Sequence, residues 1–201
     1  MKKKYVRVMD GLKSNASGFE YKLDEINIAK VWNPNTFNPK EMGGFNFSTA
    51  DKILRWLHRG DTIYDVTISD GAEVILCDED KGVYRANKII VSNPRKITDE
   101  MVIEFYKINT LPSKVIYQCL VTLLYKNRIN IAKYIINDYI TTENIKDAIT
   151  EFQNYVSKEN FEYSKLSDDE KEIYDLLKSI KGQWKYEKIE QEWFPVLFFA
   201  I

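Results

Sequence analysis

Histidine occurs once in the 201 residues, as His58, and cysteine twice, as Cys77 and Cys119. A zinc site would have to join His58 to both cysteines and a carboxylate drawn from distant parts of the chain, with none of the close ligand spacings such sites use. No metal site is expected. A Ser-His-Asp or Cys-His system would depend on that same histidine. The local pattern instead puts it on a helix beside Trp56 and Leu57, as a partly buried structural residue. The two cysteines lie in apolar surroundings and read as buried free thiols, which suits a reducing, cytoplasmic compartment.

Long apolar runs are also missing. The longest is the nine residues from Trp193 to Ile201, against the roughly 20 a membrane helix needs. The opening Lys2-Lys3-Lys4 is followed by Tyr5-Val6-Arg7-Val8-Met9-Asp10, too short and too charged for the apolar core of a signal peptide, so no membrane association and no targeting segment are expected. Nor is there an excess of one charge: 29 basic and 30 acidic residues give −1 overall. The split is 15 basic against 13 acidic over 1–95, and 14 against 17 over 96–201. No field of one sign draws the chain to nucleic acid or to an anionic surface. What is plentiful is apolar and aromatic side chain, 44% hydrophobic with 13 Tyr and 10 Phe, enough for a sizeable core. The stretch from Trp193 to Ile201 is too apolar to stand exposed. It is expected to fold back as an edge strand or plug, with an oligomer or partner interface as the alternative, and Pro195 confines it to an edge or an irregular segment.

Hydrophobic periodicity changes near Pro94. Ahead of it, runs rich in β-branched and aromatic residues predict strands over 5–9, 19–22, 45–47, 62–68, 73–77 and 84–91. Over 62–68 the alternation puts Thr62, Tyr64, Val66 and Ile68 on one face and Ile63, Asp65 and Thr67 on the other, and Asp70-Gly71 supplies a reversal. One helix interrupts the strands over 49–59, with Ile53, Leu54, Trp56 and Leu57 on one side, Ser48 as its cap, Asp51 as the capping partner and Gly60 at its end. Beyond Pro94 the period is helical: 98–108, a segment opened by Pro112 with the stripe Val115, Ile116, Cys119, Leu120, Leu123 and Leu124 and closed by Asn127, then 129–136. A helix capped by Thr142 follows, and a last one has the capping box Ser167-Asp168-Asp169-Glu170. The expected fold is α+β: a twisted, mostly antiparallel sheet with one helix over 1–95, packed on a helical region over 96–201 as one compact unit.

Gly43-Gly44-Phe45-Asn46-Phe47-Ser48-Thr49-Ala50, followed by a helix and the strands around Ile63 to Ile68 and Glu73 to Ile75, carries the best functional claim. This order resembles the core of the ADP-ribosyltransferase fold. In that family an early strand bears an Arg or His that grips NAD, a later one ends in Ser-Thr-Ser, and a final strand presents a catalytic Glu. Arg7 and Ser48-Thr49 match the first two elements. At the third, 84–91 offers Asn87 and Lys88 where a carboxylate would have to stabilise an oxocarbenium charge. The resemblance implies NAD contacts from Arg7, Gly44, Phe47, Ser48 and Thr49. Because the acid is missing it implies a non-catalytic descendant, a cytoplasmic interaction or regulatory protein with a protein partner and no cofactor. The alternative is an active NAD-dependent mono-ADP-ribosyltransferase in which Arg7 and Ser48 hold NAD and Glu73 or Glu79 serves as the acid.

Residues 40–91, and Arg85-Ala86-Asn87-Lys88-Ile89-Ile90 above all, also resemble the N-terminal region of ankyrin-repeat proteins of giant DNA viruses and related phage and bacterial proteins. Residues 119–136 are similar to one ankyrin helix pair, without the Thr-Pro-Leu-His opening. A purely structural account stands beside both resemblances. Ser48 and Thr49 cap a helix, Gly43 and Gly44 let the chain turn, and Arg7 pairs with Glu20 or Asp65. Basic residues interleaved with aromatics at Arg55-Trp56-Leu57-His58-Arg59 and Lys181-Gly182-Gln183-Trp184-Lys185-Tyr186-Glu187-Lys188 have the composition of a nucleic-acid contact. Acids interrupt both neighbourhoods, so solvated faces are expected there instead.

Overall fold

Alternating apolar residues do form strands. The computed structural model describes residues 4–14, 18–36, 38–157 and 160–193, the side chains of 39, 40 and 181–193 excepted. The strands are β1 (Tyr5–Met9), β2 (Ile26–Ile28), β3 (Phe45–Thr49), β4 (Thr62–Ile68), β5 (Val74–Asp78), β6 (Val83–Ala86) and β7 (Lys88–Lys96). They make one 7-stranded sheet in the order β2-β7-β4-β1-β3-β6-β5, and every ladder between named strands is antiparallel. With the helices α1 (Pro39–Met42), α2 (Asp99–Lys107), α3 (Ser113–Tyr125), α4 (Ile129–Tyr139), α5 (Ile145–Val156) and α6 (Asp168–Trp193), and a 3₁₀ helix over Ala50–Arg59, the fold is α+β. The chain divides into two compact units, 1–116 and 117–201, with the boundary inside α3.

In the first unit, β1 aligns Tyr5 with Val66 and Arg7 with Tyr64 on β4. That register brings Tyr64 and Val66 together with Phe45, Phe47, Tyr84, Ile89 and Val91 in one buried layer. Each such side chain contributes roughly 1.5–3 kcal/mol on leaving water. Tyr5 sets its ring edge-on to Phe47 at 5.1 Å, and Phe19 meets Phe45 at 4.9 Å. On the 3₁₀ helix Ile53, Leu54 and Leu57 are buried, and β1 packs against that helix.

Four expectations for this unit need correction. Residues 19–22 make no strand, only the isolated bridge Lys13↔Glu20, although Phe19 and Tyr21 still deliver their rings to the core. Residues 84–91 are broken at Asn87 into β6 and β7, because Asn87 leaves the ladder to accept the Glu73 amide on Oδ1 at 2.9 Å. Strand β7 runs on to Lys96 through Pro94. The register skips from Asp65↔Ser92 to Ile63↔Arg95, and this bulge absorbs Asn93, with φ 51°, together with a proline that has no amide to give a ladder. Finally, Ser48 does not cap the helix. It sits within β3 opposite Val6, and the N-cap position belongs to Thr49, whose side chain makes no capping bond to a backbone amide of the helix.

In the second unit α3 is more than an amphipathic stripe. Tyr117, Val121 and Thr122 are buried along with Cys119, Leu120, Leu123 and Leu124, as in a helix enclosed on all sides. Its turn into α4 passes through Asn127 at φ 54°. The N-cap of α5 is Asn144, not Thr142. The Asn144 Oδ1 accepts the Thr141 amide at 2.9 Å and its Nδ2 donates to the Tyr139 carbonyl at 2.9 Å, which shapes the turn. Helices α5 and α6 meet through Phe152 and Tyr174, ring centroids 6.2 Å apart. The capping box is formed as read: the Ser167 amide donates to Glu170 Oε2 at 2.8 Å and the Glu170 amide to Ser167 Oγ at 3.3 Å. Ser167→Ala is therefore expected to cost about 1 kcal/mol in urea denaturation, and an unchanged midpoint would contradict the role given to this box. Of the apolar stretch from Trp193 to Ile201, residues 194–201 lie outside the described residues.

Candidate functional site

The site begins where two neighbouring strands part. Strands β1 and β3 are paired through Tyr5↔Thr49 and Val6↔Ser48. At the next residue of β1, Arg7, the guanidinium takes over from the ladder. Its Nη1 donates to the Asn46 carbonyl oxygen, and its carbon lies 5.0 Å from the centre of the Tyr21 ring, a cation–π contact. The Nε is sealed and has no partner. Among the described residues Arg7 makes no salt bridge. Asp65 is instead paired with Arg95 at 2.5 Å, and Glu20 is exposed, so neither carboxylate neutralises Arg7 as the structural account expected. Burial pulls the Arg7 guanidinium below its ordinary pKa, the Tyr21 phenol acts the other way, and Arg59 adds to the lowering. Burial likewise pushes the Tyr21 phenol up, against the pull of Arg7. A guanidinium keeps its proton even so, and among the described residues Arg7 stands as a positive charge without a counter-charge.

Two cavities flank it and share Arg7, Ser14, Asn46 and Arg59 in their walls. The smaller holds about 70 Å³. On one side it is lined by Val6, Val8, Asn46 and Ser48 of the parting strands, and on the other by Ile53, Trp56 and Arg59. The last three are spaced by three residues, and a 3₁₀ helix turns once every 3.0 residues, so its winding sets them on one ridge. An α-helix would fan them apart. The larger cavity is a cleft of about 690 Å³ whose wall includes Phe19, Tyr21, Lys30, Gly44 and Arg85. Arg85 lies opposite Asn46 in the β3–β6 ladder and donates from Nη1 to the Gly43 carbonyl at 2.9 Å. Among the described residues neither wall contains a carboxylate.

Of the residues the sequence singled out for NAD, Arg7, Phe47 and Ser48 line the small cavity, and Arg7 and Gly44 the larger one. Thr49 lines neither. It turns to Asp51, whose carboxyl is raised by burial but brought below its ordinary value by hydrogen bonds from Thr110 and Thr49. Gly43 and Gly44 have φ of +65° and +72°. A side chain on Gly44 would meet the Trp32 ring at 2.6 Å, so the pair serves the turn into β3 as well as the cleft wall. Glu73 is elsewhere: its Oε2 accepts from Trp32 Nε1 at 3.0 Å, holding the ring that packs on Gly44. Glu79 lies in neither wall. Asn87 is bonded to Glu73, and Lys88 pairs with Ile28 on the sheet's edge strand.

His58 is exposed, not partly buried, with its Nδ1 2.9 Å from the Arg55 carbonyl. Cys77 is half-buried, its thiol pushed up by burial, and Cys119 is buried. Neither is in a disulfide. Around Trp56 the guanidinium carbons of Arg55 and Arg59 lie 5.4 and 5.8 Å from the ring centre. The protein's own cations thus occupy the ring a nucleic-acid base would have stacked on. The run from Lys181 to Lys188 falls in α6 with its side chains outside the described residues. Among the described residues no group of His, Cys, Asp or Glu is placed to hold a metal ion, and no helix is long and apolar enough to cross a membrane.

No family model matches this chain, and no curated protein or solved structure matches it. The site therefore stands on its geometry. Lys13, Lys30, Asn46, Arg59 and Arg85 were not among the residues marked for NAD, although Arg59 belongs to the basic and aromatic run 55–59. Only the position of Asn46 between the matched Gly44 and Ser48 carried a hint of it.

Proposed function

We propose that this chain is a binding protein for a phosphate-bearing small anion, held on Arg7 in the cleft where β1 and β3 part, and that it holds this ligand without transferring it. One observation carries the reading. Among the described residues the inward charge of Arg7 has no acid beside it, in walls that also hold Lys13, Lys30, Arg59 and Arg85 and no carboxylate. Isolated charges are costly to bury, and an anionic ligand offsets that cost. Arg7 and Ser48, the residues that resemble the NAD-gripping positions of ADP-ribosyltransferases, fit NAD's charged portion. Glu73, engaged with Trp32, is not positioned to act on it, which favours holding over transfer. A regulatory role through a protein partner, a cytoplasmic location and a viral or phage origin remain part of this proposal. They rest on the thiols outside any disulfide and on the resemblance over 40–91.

Pyrophosphate, ADP and NAD titrated into the full chain test the proposal. At ligand concentrations about a hundred times the dissociation constant the melting temperature rises by roughly 5–10 °C. The effect weakens as salt is raised, because screening shortens the reach of the cationic wall. No shift and no heat with any of the three overturns the proposal.

A further inference from the structure

The sheet ends in two open edges, β2 and β5, and they are built differently. On β2 the Ala29 amide donates to the Asn87 carbonyl at 2.9 Å, and Asn27 stands opposite Ile89. An antiparallel ladder alternates, so Asn27 and Ala29 turn their backbone groups toward β7 while Ile26 and Ile28 turn theirs outward. Among the described residues nothing meets those outward groups. The two side chains are exposed as well, Ile26 at 53% and Ile28 at 61%. Open strands are ordinarily blunted by lysine, proline or a bulge, and Ile26-Asn27-Ile28 has none of these. The strand is also held in shape. The buried Asn27 side chain accepts the Lys22 amide at 2.8 Å and donates to the Lys22 and Glu25 carbonyls at 2.9 and 3.0 Å, so little freedom is left to lose when another strand is added.

Charge selects the occupant. Asp24 and Glu25 precede β2, and Lys30 follows it. Glu25 is paired with Lys22 at 3.5 Å, whereas Asp24 and Lys30 make no ion pair among the described residues. One end of the edge is thus negative and the other positive. A second β2 laid antiparallel about Asn27 sets Ile26 opposite Ile28 of the second copy and Asp24 opposite its Lys30, with the same pairs repeated in reverse. In that register the outward groups of Ile26 and Ile28 all meet partners, and both ends join opposite charges. The other edge lacks this property. On β5, Val74 and Leu76 are 40% and 41% exposed, but Glu73 precedes them and Asp78, Glu79 and Asp80 follow, so self-pairing there brings acid beside acid.

We propose that the β2 edge is taken by a second copy of this chain, the two β2 strands pairing antiparallel about Asn27 so that the two sheets run on as one in a two-fold dimer. Such an interface is isologous and closes on itself, which leaves no open β2 edge. The contact is short, and the dimer belongs to the weak class, with a dissociation constant on the order of tens of micromolar.

Sedimentation equilibrium of the full chain, from well below to well above that concentration, is combined with amide hydrogen exchange. A monomer–dimer equilibrium is expected, with exchange at Ile26 and Ile28 slowing in step with the dimer fraction while Val74 and Leu76, outward on the other edge, do not change. Ile26→Lys, at an exposed position, is expected to weaken the dimer about tenfold or more and to leave the melting temperature of the monomer unchanged. Asp24→Asn, which accepts the φ of 60° at this position, is expected to weaken it about threefold and to flatten its salt dependence. Lys30 is left native because it also lines the cleft. A chain that stays monomeric throughout overturns the proposal, as does a dimer in which the Ile26 and Ile28 amides exchange freely. Protection of those amides in the monomer would show that the chain covers its own edge, and assemblies growing past the dimer would place β2 on the β5 edge; either result overturns the two-fold pairing.

Discussion

Arg7→Met is expected to raise the melting temperature of the free protein while weakening anion binding by at least about a hundredfold. The two effects come from one cause. In the free protein the guanidinium has a carbonyl at one nitrogen, a tyrosine ring beneath it and nothing at Nε, and none of these supplies the negative charge that would offset its desolvation. Methionine follows the same path with an unbranched, adaptable side chain and leaves no charge in the gap. Replacing buried charge by apolar side chains of similar size has ranged from neutral to a gain of about 1–4 kcal/mol. In a chain of this length each kcal/mol is worth roughly 2–4 °C. A ligand phosphate then loses its buried counter-charge, and truncation of one partner in a desolvated charge pair typically costs about 2–5 kcal/mol. A destabilised variant would mean that the bonds from Arg7 to Asn46 and Tyr21 are structural and that its charge is already accommodated.

The second large effect belongs to Gly43→Ala, expected to destabilise by about 3 kcal/mol or more. Gly43 has φ +65°, where an L side chain is strained by roughly 1 kcal/mol. Strain is the lesser part. A Cβ at Gly43 would lie 2.1 Å from the Val31 carbonyl oxygen and 2.6 Å from its carbon. That carbonyl cannot easily move, because it accepts the Gly44 amide at 2.9 Å. Gly71 is the internal control, with φ +66° and nothing within 4 Å of its would-be Cβ. Gly71→Ala should therefore show the conformational cost alone, about 1 kcal/mol. Equal losses at the two positions in denaturant titrations would show that the close approach to Val31 does not matter.

Where local chemistry settles local structure, the sequence was legible. The alternation of Thr62–Ile68 produced β4 with Tyr64 and Val66 in the core, and the Ser167 box opened α6 because both of its hydrogen bonds lie within four residues. Strand β2 escaped notice because it is three residues long with Ile26 and Ile28 both exposed, so its pattern carries no core face. The 3₁₀ winding of Ala50–Arg59 escaped for a different reason. Buried Ile53, Leu54 and Leu57 suit an α-helix equally well, and only the tighter turn lines up Trp56 and Arg59 with the cavity. As for the site, Arg7 and Ser48 were named from a resemblance, and both do line one cavity. Its remaining chemistry is non-local. That Arg7 lacks a carboxylate depends on Asp65 being taken by Arg95 across the β4–β7 ladder. That Asn46 and Trp56 face a shared space depends on two strands separating after Val6↔Ser48, which no spacing in the chain encodes.

The central claim is that the buried charge of Arg7 is the seat of an anionic ligand, and the proton–nitrogen correlation of its Nε–H reports on this directly. The resonance is assigned by its loss in Arg7→Met and followed as pyrophosphate is added to the full chain. The account predicts a downfield, saturable shift of this one signal, with the same midpoint as the calorimetric titration. An unmoved Nε–H at saturating pyrophosphate, with shifts confined to exposed lysines and arginines, would contradict it.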